Sequence, residues 1–161
     1  MWTLRFLAIT LAVTPARQLL GLSALARYRR SFGLFAFFYA CVHVATWTWA
    51  DMNFDLSLMW KEIVKHRYIL VGMLTFLLLV PLAATSTKGS IKRLGGKRWT
   101  RLHRLIYVAA VTGTVHYLWA VKKDTFFPLV YLVVFALLLG YRVARAARER
   151  DPWTIRSRTA A

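Results

Sequence analysis

Residues 68–84 read YILVGMLTFLLLVPLAA, an apolar run without a charged side chain. A helix needs about 20 mostly apolar residues to span a bilayer, and this run comes close to that length. Similar stretches occupy residues 32–50, 105–121 and 125–141, and a shorter one occupies residues 2–16. The pattern predicts an all-α fold, a polytopic transmembrane helical bundle with five spans, of which the first is marginal.

The overall composition excludes several classes of protein. Hydrophobic residues make up 58% of the chain, more than in a typical soluble domain. The net charge of +17 is also found in nucleic-acid-binding proteins, but here the basic residues lie between apolar blocks, so we expect no nucleic acid partner. The single cysteine, Cys41, excludes an internal disulfide framework and a cysteine cluster for zinc or iron–sulfur.

The distribution of charge predicts the orientation in the membrane. Most of the basic residues lie in three regions, residues 17–30, 85–104 and 142–161. With five spans, all three regions fall on one side, which the positive-inside rule makes the cytoplasm. The other side receives most of the acidic residues: Asp51, Asp55, Glu62 and Asp124. We therefore expect a multi-pass protein of a bacterial inner membrane, in contact with the lipid bilayer, with basic loops and C-terminus in the cytoplasm.

Two histidines lie inside predicted spans, where an ionisable side chain is costly and functional by default. His43 lies about twelve residues into its span and His116 about eleven into its own. Both therefore lie roughly 16–19 Å from the cytoplasmic edge. Two imidazoles at one depth on two helices can bind the two axial positions of a six-coordinate b-type haem.

Small residues share a helix face with each of these histidines: Gly33, Ala36 and Ala40 before His43, and Ala109, Gly113 and Ala120 around His116. A porphyrin lying flat on a helix needs such a face. In an alternative interpretation, the small residues let two membrane helices pack closely and each histidine makes an interhelical hydrogen bond. Two histidines at equal depth favour haem, and a cofactor-free scaffold or transporter remains the competing hypothesis.

His103 lies at the cytoplasmic end of the span that contains His116. It is about 20 Å from His116 along an ideal helix and rotated by roughly 140°. A π-bulge near Gly113 would reduce this mismatch. A capping role and a role in binding a second cofactor both remain open for His103. His66, beside Lys65 and Arg67, is predicted to be solvated.

Two loops carry further predictions. Residues 51–66 should contain a short interfacial helix around residues 56–64. Residues 85–98 contain Gly89 and Gly95-Gly96 and should separate two helices. Anion-binding candidates in and after this second loop are Arg93, Arg101 and Arg104, which suit haem propionates, a flavin phosphate or a quinone head group. The positive-inside signal and anionic lipid explain most of the charge equally well.

We divide the chain into a transmembrane haem-binding helical domain, residues 1–141, and a basic cytoplasmic tail, residues 142–161. The tail should be a helix end followed by disorder. The sequence has no G-x-G-x-x-G dinucleotide fingerprint, so electrons must come from the membrane pool or from a separate protein.

Several motifs, in order along nearly the whole chain, resemble those of the MsrQ (YedZ) family of ferric-reductase-like transmembrane proteins. They are LAVTP (11–15), RRSFGL (29–34), YACVH (39–43), PLAATST (81–87), RLG (93–95), WTRLHRLIY (99–107) and HYLW (116–119) followed by Lys122. The resemblance implies that His43, His103 and His116 are metal ligands for heme b, and that FMN is a second cofactor.

The resemblance also implies a function. Proteins of this family take electrons from the quinone pool or a cytosolic flavin reductase and pass them to MsrP, a periplasmic molybdopterin enzyme that reduces methionine sulfoxide in proteins. The chain would then be an electron-transfer subunit rather than the catalytic subunit. A self-sufficient ferric or quinone reductase of the same fold is the alternative.

Two departures from the family pattern are visible. The family usually has six spans, and this chain starts at what resembles the second, so we expect a span to be missing from its start. The usual Lys-Arg-Pro-Tyr before the third span reads Lys65-His66-Arg67-Tyr68 here. The first departure affects the prediction of FMN or quinone binding more than that of haem.

Overall fold

The computed structural model describes residues 2–150, with side chains described for residues 2–148. Every regular element in that part of the chain is helical: α1 Trp2–Leu19, α2 Arg29–Thr46, α3 Leu56–Lys65, α4 Arg67–Ala84, α5 Lys88–Leu94, α6 Gly96–His103, α7 Leu105–Ala120 and α8 Phe126–Arg150. A 3₁₀ stretch, Ser23–Tyr28, precedes α2, and a π-helical turn, Trp47–Asp51, extends it. The predicted all-α fold is confirmed.

Three helical segments of the described chain are long and apolar enough to cross a membrane: Ser23–Asp51, Arg67–Ala84 and Phe126–Arg148. The other two predicted spans correspond to α1, which carries Arg5 and Arg17, and to α7, whose 16 residues give a length of about 24 Å. Large apolar side chains such as Phe38 and Leu77 are exposed on the outside of the bundle, as expected for a lipid-facing surface. The chain is a multi-pass membrane protein.

Successive long helices run antiparallel. Trp2 of α1 stacks on Tyr39 of α2, and Phe6 of α1 contacts Phe35 of α2. Helix α4 packs on α2 and more extensively on α7, and α8 packs on α7 and α1. The buried core between the helices includes Leu7, Leu11, Ala36, Ala109 and Ala110.

One end of the bundle gathers the described parts of the three basic regions. There, Tyr141 near the end of α8 donates a hydrogen bond from its hydroxyl to Gln18 Oε1 of α1, at 3.0 Å. Trp99 of α6 donates from Nε1 to the Thr85 carbonyl after α4, at 2.9 Å. The side of the membrane that this end faces stays a prediction.

The predicted helix breaks have identifiable signals. The Asp55 side chain caps α3 by accepting hydrogen bonds from the amides of Ser57 and Leu58, at 2.8 and 3.0 Å, so the short helix predicted around residues 56–64 is confirmed. Gly95 has a φ of +73°, a conformation that favours glycine. It separates α5 from α6, which confirms the break within residues 85–98.

The predicted boundary between residues 141 and 142 falls inside α8. Arg142 belongs to the contacts of the bundle, because its Nη2 donates to the Leu11 carbonyl at 2.9 Å and to Thr14 Oγ1 at 3.1 Å. The division into a domain and a tail stays a prediction. The predicted disorder at the chain end concerns residues 151–161, which lie outside the described residues.

Candidate functional site

His43 on α2 and His116 on α7 face each other. Their ring centroids are 6.2 Å apart and their ring planes are inclined by 64°. His43 is exposed at the surface of the bundle, whereas His116 is half-buried. The structure therefore brings together the two histidines that the sequence places at matching depth.

The ring of His116 is held in one tautomer by a backbone group of α4. Its Nδ1 lies 2.6 Å from the carbonyl oxygen of Tyr68. A carbonyl oxygen can only accept, so Nδ1 carries the hydrogen and Nε2 keeps its lone pair. Metal-binding histidines are typically oriented by such a bond from the nitrogen that does not bind the metal.

The same ring packs directly on the backbone of Gly72. A Cβ at this position would lie 2.6 Å from Nδ1 and 2.7 Å from Cε1 of His116, closer than side chains pack. Neither Gly72 nor the Tyr68 carbonyl was predicted from the sequence. An isolated glycine within an apolar span is a signal of close approach, but nothing in the sequence says that α7 is what approaches it.

The spacing of the two rings would allow both to reach one metal ion. A metal–imidazole bond is about 2 Å long and the ring centroid lies roughly 1 Å beyond the nitrogen, so imidazoles on opposite sides of one metal ion have centroids about 6 Å apart. The observed 6.2 Å agrees with this value. Two facing imidazoles are a donor set that b-type haem can use.

The small-residue faces have a different role from the one expected. A Cβ on Gly33 would meet Thr10 of α1 at 3.9 Å, and one on Gly113 would meet Leu4 at 3.2 Å and Thr75 at 3.3 Å. Alanines of the same faces are buried: Ala36, Ala40 and Ala109. The interpretation of Gly113 as a surface for a porphyrin is wrong, because α1 and α4 cover it and their close packing needs the glycine. Gly33 is half-buried and has room for a Cβ, so its role stays a prediction.

His103 lies at the basic end of the bundle, against Trp99. The two rings stack with centroids 3.8 Å apart, and His103 Nδ1 lies 3.1 Å from the Trp99 carbonyl. Its Nε2 is buried and has no hydrogen-bond partner among the described residues. Burial lowers the pKa of His103, and hydrogen bonding with the backbone of Trp99 and Leu82 opposes this shift. In the neutral ring that donates from Nδ1 to the Trp99 carbonyl, Nε2 keeps its lone pair. An unpartnered nitrogen of this kind is a candidate ligand.

The relation between His103 and His116 differs from the ideal-helix expectation. The helix is interrupted at Arg104, so His103 ends α6 and His116 belongs to α7. Gly113 lies in regular α-helix, so no π-bulge there changes the rotation, and the π-helical turn of the described chain is at Trp47–Asp51. The junction at Arg104 sets the relative orientation of the two histidines.

The other candidate residues lie at the two ends of the bundle. Arg93, Arg101 and Arg104 are exposed and lie on α5, on α6 and at the junction after it. At the opposite end His66 is paired with Glu62, with 3.3 Å between Nε2 and Oε2. Within residues 2–148 no group of three or more His, Cys, Asp or Glu could hold a metal ion. The histidine pair therefore remains the candidate centre.

Comparison with known proteins identifies the family of this chain. Residues 1–114 match the family described as "Ferric reductase like transmembrane component". The "Protein-methionine-sulfoxide reductase heme-binding subunit MsrQ" of Azospira oryzae is 47% identical over 157 residues, which cover 97% of this chain and 67% of the relative. The protein of the same name from Rhodospirillum rubrum is 52% identical over 149 residues, or 92% and 72% of the two chains. The chain belongs to the MsrQ family.

A third MsrQ relative, from Herminiimonas arsenicoxydans, is 52% identical over 152 residues, which cover 93% of this chain and 70% of the relative. Family membership confirms the resemblance carried by the sequence motifs and the ferric-reductase-like transmembrane fold. The chain spans about two thirds to three quarters of the length of these MsrQ proteins. No solved structure matches it.

Proposed function

We propose that this chain is the haem-binding membrane subunit of a methionine sulfoxide reductase system and that it transfers electrons. The observation that carries the proposal is the 6.2 Å separation of the His43 and His116 rings. The hydrogen bond from His116 Nδ1 to the Tyr68 carbonyl orients one of these rings. The names of the MsrQ relatives, which are haem-binding subunits, support the same function.

His43 and His116 would hold heme b, His116 through its Nε2 atom. Haem supplies reversible one-electron chemistry at its iron when bound. The Tyr68 carbonyl orients the His116 ring, and the missing side chain of Gly72 leaves room for it. His103 would contribute a further ligand near the basic end, where exposed arginines offer charge-assisted hydrogen bonds to propionates, to the phosphate of FMN or to a quinone head group.

The proposed direction of transfer follows from the charge distribution. The basic end of the bundle would face the cytoplasm of a bacterial cell. The opposite end, nearer to His43, would face the outside of the inner membrane. Electrons would come from the quinone pool or a cytosolic flavin reductase and would leave to a periplasmic molybdopterin reductase of the MsrP type. In this arrangement the chain carries electrons, and methionine sulfoxide is reduced in the partner.

A cofactor-free scaffold is the second candidate function, and two observations favour it. The bond between His116 and Tyr68 links two helices without any ligand, and Gly113 serves close helix packing. The scaffold hypothesis, however, gives no role to the Nε2 atoms of His116 and His103.

Electron delivery from vesicles tests the proposed function. The chain is reconstituted in liposomes that enclose a reduced flavin donor, with the molybdopterin reductase and a methionine sulfoxide peptide outside. We expect peptide reduction that is lost in His116→Ala and kept in His66→Ala, a control histidine outside the pair. Equal rates with the wild-type chain and His116→Ala would contradict the proposal. Reduction of external ferric citrate without the molybdopterin reductase would instead support a self-sufficient reductase.

A further inference from the structure

Helix α3 presents three distinct faces. Its exposed apolar face consists of Leu56, Trp60 and Val64, which follow one another at intervals of four residues and are 77%, 67% and 65% exposed. The neighbouring face is polar and exposed, with Ser57, Lys61 and Lys65. The third face includes Met59 and Ile63, which are half-buried, and α3 packs on α4. Such an exposed apolar stripe indicates a surface that contacts something other than water.

The position of α3 in the chain places this stripe at the membrane surface. Helix α3 lies between two segments that can cross a membrane, Ser23–Asp51 and Arg67–Ala84. Only residues 52–55 join it to the first, and only His66 joins it to the second. Both ends of α3 are therefore held at the level where spans leave the bilayer, and its ten residues cannot extend far from that level.

We propose that α3 is an interfacial anchor that binds phospholipid. Leu56, Trp60 and Val64 would enter the boundary between headgroups and acyl chains, the depth at which amphipathic helices insert and tryptophan concentrates. Lys61 and Lys65 lie on the adjacent face, from which long side chains reach headgroup phosphates while their methylene groups stay in apolar surroundings. The third face of α3 packs against α4.

The anchor is connected to the histidine pair through very few residues. After α3 ends at Lys65, His66 is the link to α4, and the Tyr68 carbonyl in the first turn of α4 holds the His116 ring. The depth of α3 in the leaflet therefore fixes the depth of the backbone that orients His116. This inference does not depend on which cofactor the histidines bind.

A fluorescent label tests the contact with lipid. Val64→Cys, in a Cys41→Ala background, is labelled with an environment-sensitive NBD group and reconstituted in vesicles of phosphatidylethanolamine and phosphatidylglycerol. Lys61→Cys on the polar face is the matched control, and Leu56→Cys replaces Val64→Cys if the latter fails to fold. Quenching is measured with aqueous iodide and with lipids that carry a nitroxide on the upper part of an acyl chain.

We expect the label at residue 64 to be quenched by nitroxide lipid at least about twofold more than the label at residue 61, with the opposite order for iodide. Equal iodide quenching at the two positions would show a water-exposed stripe and would overturn the proposal. Protection of residue 64 from both quenchers would also overturn it, because a second copy of the chain rather than lipid would then cover the stripe.

Discussion

Arg142 binds the carbonyl group that Pro15 leaves without a partner. Proline lacks an amide hydrogen, so Pro15 cannot donate to the carbonyl four residues earlier in α1, which is that of Leu11. Arg142 Nη2 donates to this oxygen at 2.9 Å, and its Nη1 donates to the Tyr107 hydroxyl at 3.2 Å. The Arg142 side chain of α8 thereby supplies the hydrogen bond that the Leu11 carbonyl lacks in α1, and it links α1 to α7.

We therefore expect Arg142→Ala to lower the free energy of unfolding by about 1–3 kcal/mol, since a carbonyl within the bundle loses its donor. The penalty should be smaller in a Pro15→Ala background, where the backbone amide that this substitution restores can donate to the Leu11 carbonyl. Thermal unfolding of the four proteins in detergent measures this coupling. Additive losses would mean that Arg142 acts independently of the proline.

Gly72→Ala should displace the His116 ring, because the new Cβ would lie 2.6 Å from Nδ1. The bond to the Tyr68 carbonyl would break or rotate, so we expect loss or strong perturbation of the haem absorption in the purified protein. Gly140→Ala is the matched control, because a Cβ there meets nothing within 4 Å. The control should keep the spectrum and gain up to about 1 kcal/mol of stability from the better helix former. Identical spectra for both variants would refute the assigned role of Gly72.

His103→Ala tests whether the buried Nε2 of His103 binds a cofactor. We expect the ratio of haem to protein to fall by about half, because a second centre would lose its ligand while the His43 and His116 pair stays intact. The pyridine haemochrome assay measures the ratio. An unchanged ratio would assign His103 a structural role with Trp99, on which it stacks at 3.8 Å. Complete loss of haem would mean that binding at the His43 and His116 pair depends on His103.

Replacement of Arg93, Arg101 and Arg104 by glutamine separates an anion site from a topology signal. If these exposed arginines bind FMN, we expect the triple variant to bind it at least about tenfold more weakly, because charge-assisted hydrogen bonds to phosphate are lost. Quenching of FMN fluorescence measures the affinity. The control replaces Lys122 and Lys123, which belong to the other end of the bundle. Unchanged affinity for FMN in the triple variant would mean that these arginines act only as a positive-inside topology signal.

Most of the fold could be predicted from the sequence because each element has a local signal. The apolar run at residues 68–84 predicted α4 within one residue at its start, and Asp55 and Gly95 mark helix ends through capping and positive φ. The interruption at Arg104 was missed, since no glycine or proline marks it. The bond between Arg142 and Leu11 joins residues 131 positions apart, and local patterns do not predict such pairs.

The site was only partly predictable, for a related reason. Depth along two spans was enough to pair His43 with His116, because rise per residue is nearly constant in a helix. Rotation about each helix axis is set by packing against the other helices, so the role of Gly113 was misread. The Tyr68 carbonyl could not be found at all, since a backbone group leaves no mark on residue identity.

The absorption spectrum of the purified protein tests the central claim most directly. We expect a Soret band and a dithionite-induced α-band of b-type haem in the wild-type chain and in the control variant His66→Ala, and loss of at least about half of their intensity in His43→Ala and in His116→Ala. A colourless, well-folded wild-type protein from haem-replete cells would contradict the claim, as would an unchanged spectrum in both variants.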